Sequence, residues 1–172
     1  MKTAGRNLSM RRSERGQSLI EVALLTPLLL SLLVGTIEMG RYAYLSILVG
    51  NAARAGAAYG AESLAQSVDS AGIQTAATND FQNNGPGSAA LTVSGGAPDG
   101  TYVSCGCDSG GTITAATCSP KVNPNAGTCA SGHWVVMVSV QAQATFSSLF
   151  KYPGIPQSIT VTQTATMRVP NN

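Results

Sequence analysis

The residues whose types and spacing could do chemistry are few: Cys105, Cys107, Cys118 and Cys129, a single histidine at His133, and a carboxylate, Glu21, set inside an apolar run. The cysteines are even in number and fall within 25 residues of Gly/Ser/Thr-rich sequence. That pattern predicts two disulfides stapling a loop in an oxidising compartment. Three pairings are open; Cys105 and Cys107 are expected to bond different partners, because a C-x-C bridge strains the chain. A zinc site using these thiols with His133 is the rival, although the spacings lack the usual C-x-x-C pairs. With one histidine, no nucleophile-elbow motif and no phosphate-binding glycine loop between a strand and a helix, an enzyme is not expected, nor a cofactor or catalytic metal. His133, beside Trp134, reads as a surface residue at the start of a strand.

Glu21 belongs to a different setting. Between Leu19 and Ile37 it is the one charged residue, and no Lys or Arg occurs between Arg15 and Arg41. At 1.5 Å per residue those 19 residues span about 28 Å as a helix, close to the hydrocarbon thickness of a bilayer. Pro27 lies in the run, where the hydroxyls of Thr26 and Ser31 stand near the carbonyl it would free, so at most a kink is expected. Ahead of the run, residues 1–16 hold Lys2, Arg6, Arg11, Arg12 and Arg15 against Glu14, a net +4, while residues 17–172 sum to −2. Basic residues before a span stay cytoplasmic, which sends the remainder across the membrane. The overall +2 is thus confined to a short head, and a nucleic-acid partner is not expected. Charged residues make up only 10% of the chain while hydrophobic ones are 44%, so polarity is carried by small neutral residues. The apolar run is too long for a removable secretory signal and no A-x-A site follows closely. Arg11-Arg12 alone does not make a twin-arginine signal.

The junction reads RRSERGQSLIEVALLTP and resembles a prepilin processing site, which is cut after a glycine to leave glutamate as the fifth mature residue. Gly16, Gln17 and Glu21 fall at those positions. Further along, Arg15-Gly16, Glu21, Pro27 between leucines, Glu38-Met39-Gly40-Arg41 and Asn51 to Ala57 together resemble the TadE-like family of the tight-adherence (Tad/Flp) pilus system, over roughly residues 14–60. ITVTQTATMR near the C-terminus resembles the last strand of such proteins. The resemblance implies a prepilin peptidase, other pilin or Tad assembly proteins and membrane lipid as partners. It also implies that the new α-amino group on Gln17, of the same chain or a neighbour, neutralises Glu21 and sets helix register. Physics alone leaves a second option, in which Glu21 reaches the headgroups; an intramembrane carboxylate otherwise costs about 2.5 kcal/mol or more.

The elements that position these residues follow from periodicity. Tyr42, Leu45, Val49, Ala52, Gly56 and Tyr59 recur at spacings of three and four, an apolar seam with Asn51 and Arg54 opposite, and predict that the helix continues to about Gly60. Small residues, including Gly56 and Gly60 in G-x-x-x-G spacing, allow a close approach, with packing against the protein's own sheet favoured over packing against another helix. After a break near Glu62 to Asp69, Asp69 or Ser70 caps a short helix with Ile73, Ala77 and Phe81 inward, ended by Asn83 to Gly87. Leu91–Val93 and Thr101–Val103 are short strand candidates around a Gly95–Gly100 turn. Trp134–Phe146 and Ile159–Met167 alternate with period two and predict a long hairpin.

The expected fold is therefore α+β: a cytoplasmic leader (1–16), a transmembrane and stem helix (17–62), and an extracytoplasmic head (63–172) with a small antiparallel sheet and a Cys-rich loop (104–130). The expected role is a minor pilin or pseudopilin-like component, N-terminus inside, in a bacterial inner membrane. A permanently anchored adhesin or binding domain is the alternative.

Overall fold

The computed structural model describes residues 14–85, 89–118, 127–150, 154 and 156–170. They form three helices and five strands in two compact units, Met1–Gly40 and Arg41–Asn172. Helix α1 (Glu14–Ala61) contributes to both. In the first unit α1 is the one element among the described residues, and its large apolar side chains from Leu19 to Ile37, Val34 excepted, are 49–72% exposed. Helix continues through Pro27. Proline leaves the carbonyl four residues back without a donor, yet the nearby hydroxyls go elsewhere: Thr26 donates to the Val22 carbonyl (2.6 Å) and Ser31 to that of Leu28 (2.7 Å). The expected rescue of the freed carbonyl by those two side chains is therefore replaced by ordinary back-bonding along the helix.

In the second unit the remainder of α1 and helix α3 (Ser70–Asn84) cover one face of a five-stranded antiparallel sheet. Strand β4 (His133–Ser147) is its centre, because Val136, Val138, Val140, Ala142 and Ala144 alternate onto the face that the helices bury. Strand β5 (Ser158–Val169) pairs along one side of β4, from Val136 opposite Val169 to Ser147 opposite Ser158. This is the long hairpin expected from the period-two pattern.

The other side of β4 carries the two short strands expected around the Gly95–Gly100 turn. Strands β1 (Leu91–Gly95) and β2 (Val103–Ser109) do not form a hairpin with each other. Both run antiparallel to β4 in succession, β1 against Val140–Ala144 and β2 against His133–Val138. The Gly95–Gly100 turn is an excursion from one interrupted strand, held where Gly96 N–H donates to the Ser139 carbonyl (2.8 Å) and Ser139 N–H to that of Tyr102 (2.8 Å). Ser139 is buried there on the face away from the helices, its hydroxyl paired with that of Thr166 at 2.8 Å. A further strand, β3 (Thr112–Ala116), returns from β2 across Gly110-Gly111, so the first part of the expected 104–130 loop is a β-hairpin. Both glycines have positive φ, 63° and 90°, as a two-residue turn matching strand twist requires. A one-turn helix, α2 (Leu64–Ser67), fills the expected break, capped by Ser63.

Candidate functional site

Gly16, Gln17 and Glu21 all lie in the first turns of α1, exposed. At Gly16 a Cβ would meet no atom within 4 Å, so nothing in the packing demands glycine there. Gln17 and Glu21 are four residues apart, one helical turn, and therefore share a face.

The seam of α1 meets the sheet from Leu45 onward. Leu45 is 6% exposed, while Val49 and Ala52 are fully buried; Tyr42 at one end and Tyr59 at the other are partly open. Gly56 and Gly60 face inward against α3 and β4. A Cβ on Gly56 would stand 3.1 Å from the Ile73 carbonyl oxygen and 3.3 Å from Val140 Cγ1; one on Gly60 would stand 2.8 Å from Val138 Cγ1. The G-x-x-x-G spacing thus serves contact with this chain's own helix and sheet, the packing partner favoured from sequence. Asn51 and Arg54 lie exposed and hydrogen-bond each other (Arg54 Nη1 to Asn51 Oδ1, 3.0 Å). Between α1 and β5, Gln163 Nε2 donates to Ser46 Oγ at 3.1 Å.

At the far end of the seam the Tyr59 hydroxyl donates to Asp69 Oδ2 (2.8 Å), and Asp69 Oδ1 accepts from Gly72 N–H (3.0 Å) as the N-cap of α3. The Gly72 N–H, and then the Tyr59 hydroxyl, hold the Asp69 carboxyl below its ordinary range. Donation to a carboxylate, together with desolvation, raises the Tyr59 phenol above its own. A Cβ at Gly72 would fall 2.4 Å from Tyr59 Cε1, which explains the glycine inside this cap.

The cysteines form two pairs, Cys105–Cys118 and Cys107–Cys129, with Cα separations of 5.2 and 5.7 Å. The adjacent cysteines of the C-x-C do bond different partners. Cys105 lies opposite Ala116 in the β2–β3 hairpin, so the first bridge closes just past that pairing. The second ties β2 to the segment entering β4. With all four thiols in disulfides, they are not available to zinc.

One cluster beside them has no counterpart in the sequence reading. Asp108, 8% exposed, pairs with the Arg168 guanidinium through Oδ2 and accepts from Gly111 N–H through Oδ1 (2.9 Å). His133 Nε2 stands 3.7 Å from Oδ2. The Arg168 bond first, and the turn N–H second, lower the Asp108 pKa. Its position is set by register: Asp108 opposes His133 across β2–β4, and Arg168 opposes Met137 across β4–β5. Asp-Ser-Gly-Gly was a legible turn signal; a partner sixty residues away in sequence was not. His133 begins β4 and is 66% exposed, and the arrangement is an Asp108–Arg168 ion pair closing the β2–β3 turn.

Against known protein families, residues 16–58 match the model described as TadE-like protein. The matched segment lies wholly inside α1 and agrees with the resemblance read from the sequence motifs. No curated protein and no solved structure matches the chain. Among the described residues one helix, near the N-terminus, is long and apolar enough to cross a membrane, and together with this match it points to single-pass membrane anchoring.

Proposed function

We propose that this TadE-like chain is a non-catalytic component of Tad pilus assembly, a minor pilin or pseudopilin-like subunit inserted with its N-terminus in the cytoplasm of a bacterial inner membrane. The observation that carries the reading is that the family match begins at Gly16 and follows α1 through an apolar surface left open to lipid, with Glu21 placed one turn from Gln17. A prepilin peptidase removes residues 1–16. The α-amino group so created on Gln17 lies within reach of Glu21, in the same chain or in a neighbour, and supplies the positive charge that an intramembrane carboxylate needs. Beyond the membrane, the part of α1 that belongs to the head packs on the sheet through its glycine and alanine face, and the head is carried to other pilin or Tad assembly proteins.

Mass spectrometry of the N-terminal peptide, from membrane and from sheared-surface fractions, tests this. The expected mature terminus is Gln17, and Gly16→Leu should leave the leader attached. An exported chain that retains Met1 would instead be an anchored adhesin or binding domain, and the pilin-like reading would be wrong.

A further inference from the structure

We infer that the end of the head formed by the start of its α1 segment and the residues just past β4 is a lipid-contact surface, with Leu149 and Phe150 seated in the headgroup–acyl boundary of the bilayer that α1 crosses. The inference rests on membrane anchoring by α1 and goes beyond it, because it assigns a second, peripheral contact to the folded head.

Reach is the first argument. Arg41, the first residue of the head unit, lies with its guanidinium carbon 5.4 Å from the centroid of the Phe146 ring, and Tyr42 meets the same ring edge-on at 5.6 Å. Only three residues, and so four Cα–Cα steps, separate Arg41 from Ile37, the end of the apolar run. Even fully extended they span no more than about 14 Å, so this end of the head is tethered within that distance of the hydrocarbon whatever the angle at the junction. Past Phe146 the hairpin continues, with Ser147 opposite Ser158 and Ser148 N–H donating to the Gln157 carbonyl (2.9 Å). Leu149 and Phe150 therefore lie beyond the rung of Phe146.

Chemistry is the second. Leu149 is 62% exposed, the highest value among the described large apolar residues of the head, and Phe150 is 49% exposed. Tyr42, Tyr44 and Ile159, which pairs across from Phe146, add exposed apolar surface at the same end. Among the described residues, Phe146, Phe150, Tyr42 and Tyr44 gather here, around Arg41. Aromatic rings with a basic residue among them are the composition of a protein surface at the membrane–water interface, where ring bodies enter the acyl boundary and the guanidinium stays with phosphate. Tyr44 fits this: its hydroxyl donates to the Asn84 carbonyl at 2.8 Å while its ring stays half exposed. A surface for another protein would be built without regard to the tether. This patch coincides with it.

The test uses the full chain in phosphatidylcholine proteoliposomes, with Leu149→Trp compared in ordinary lipid and in lipid brominated at shallow acyl carbons. The native Trp134 is a constant background, twelve residues along β4 from Phe146 and so about 40 Å away. The added emission is expected to fall roughly two-fold in brominated lipid, since such a contact places the side chain about 5–10 Å into the interface. It should also resist aqueous iodide. Ile113→Trp, on β3, should show the reverse. Leu30→Trp, mid-span in α1, reports the anchor separately: strong bromine quenching there with iodide quenching at position 149 overturns the head contact alone, and no quenching at either overturns the anchor as well. An indole at position 149 shielded from both quenchers reports a protein partner and also overturns the lipid assignment.

Discussion

Replacing Gly60 by alanine isolates the close approach on which the seating of α1 depends. The added methyl would stand 2.8 Å from Val138 Cγ1, 3.0 Å from Ile73 Cδ1 and 3.2 Å from Ile73 Cγ1. Val138 and Ile73 are both fully buried, one on the central strand and the other on α3, so neither can swing aside into solvent. Overpacking of this kind costs about 1–3 kcal/mol. Against it stands the gain from removing glycine from a helix, at most about 1 kcal/mol. Gly50 supplies the control. It lies in the same helix, but there the nearest atoms to an added Cβ are Gln163 Cγ at 3.9 Å and Arg54 Nη1 at 4.0 Å, which is ordinary contact. The propensity gain is common to both substitutions and largely cancels, so Gly60→Ala is expected to be less stable than Gly50→Ala by about 1–3 kcal/mol. Thermal unfolding in detergent, followed by emission from the lone Trp134 in β4, reads the head directly. For a domain of this size each kcal/mol moves the midpoint by roughly 4 °C. Val138→Ala should cost less on the Gly60→Ala background than on the wild type, because it removes one of the clashing atoms. Equal midpoints for the two alanine variants, or a more stable Gly60→Ala, would refute the reasoning.

Two further outcomes follow from the head's cross-links and its Asp108–Arg168 ion pair. Removing Cys107–Cys129 by paired serine substitutions opens a bridge between residues 22 apart, and a chain-entropy estimate puts the loss at about 3 kcal/mol; the midpoint of the variant should then be insensitive to reductants that act on that bond, and a wild-type-like midpoint would show the bridge to be dispensable. Asp108 has its folded pKa lowered by Arg168 and the Gly111 N–H, so its contribution is present above the ordinary carboxylate pKa and is lost as pH falls through the lowered value. Thermal midpoints measured from neutral pH down through the acid range should accordingly fall less steeply in Asp108→Asn than in the wild type, from an already lower starting point. Parallel curves would mean that Asp108 does not couple folding to protons.

Much of this architecture was readable from local pattern because the relevant energies are local. Leu19–Ile37 is apolar on every side, and such a helix can be satisfied only by lipid or a deep core. Asp69 three residues before Gly72, with Ile73, Ala77 and Phe81 at spacing four, states both the cap and the inward face of α3. Alternation in β4 and β5 states the hairpin, since a slip of one residue would turn Val136, Val138 and Val140 to solvent. What was missed was short or depended on distant partners. Thr112–Ala116 has no buried residue, hence no alternation to detect, and becomes a strand only because β2 offers it an edge. The Gly95–Gly100 turn reads like a hairpin turn, but β4 is long enough to bind β1 and β2 end to end, and that pairing wins over a two-strand hairpin in isolation.

The amino-acid sequence by itself determined that Leu19–Ile37 is long and apolar enough to span a bilayer, where its basic flank lies, that the four cysteines should bridge in pairs, and which faces of α3, β4 and β5 turn inward. These are properties of single segments, set by hydrophobic period, charge and capping within a few residues. Only the tertiary structure decided which cysteine meets which, that Gly56 and Gly60 accommodate Ile73, Val138 and Val140, that Asp108 finds Arg168, and that Leu149 and Phe150 share an end of the head with Arg41 and Tyr42. Each of those pairings joins residues far apart in the chain, and their meeting is fixed by strand register and close packing, which no local stretch encodes alone.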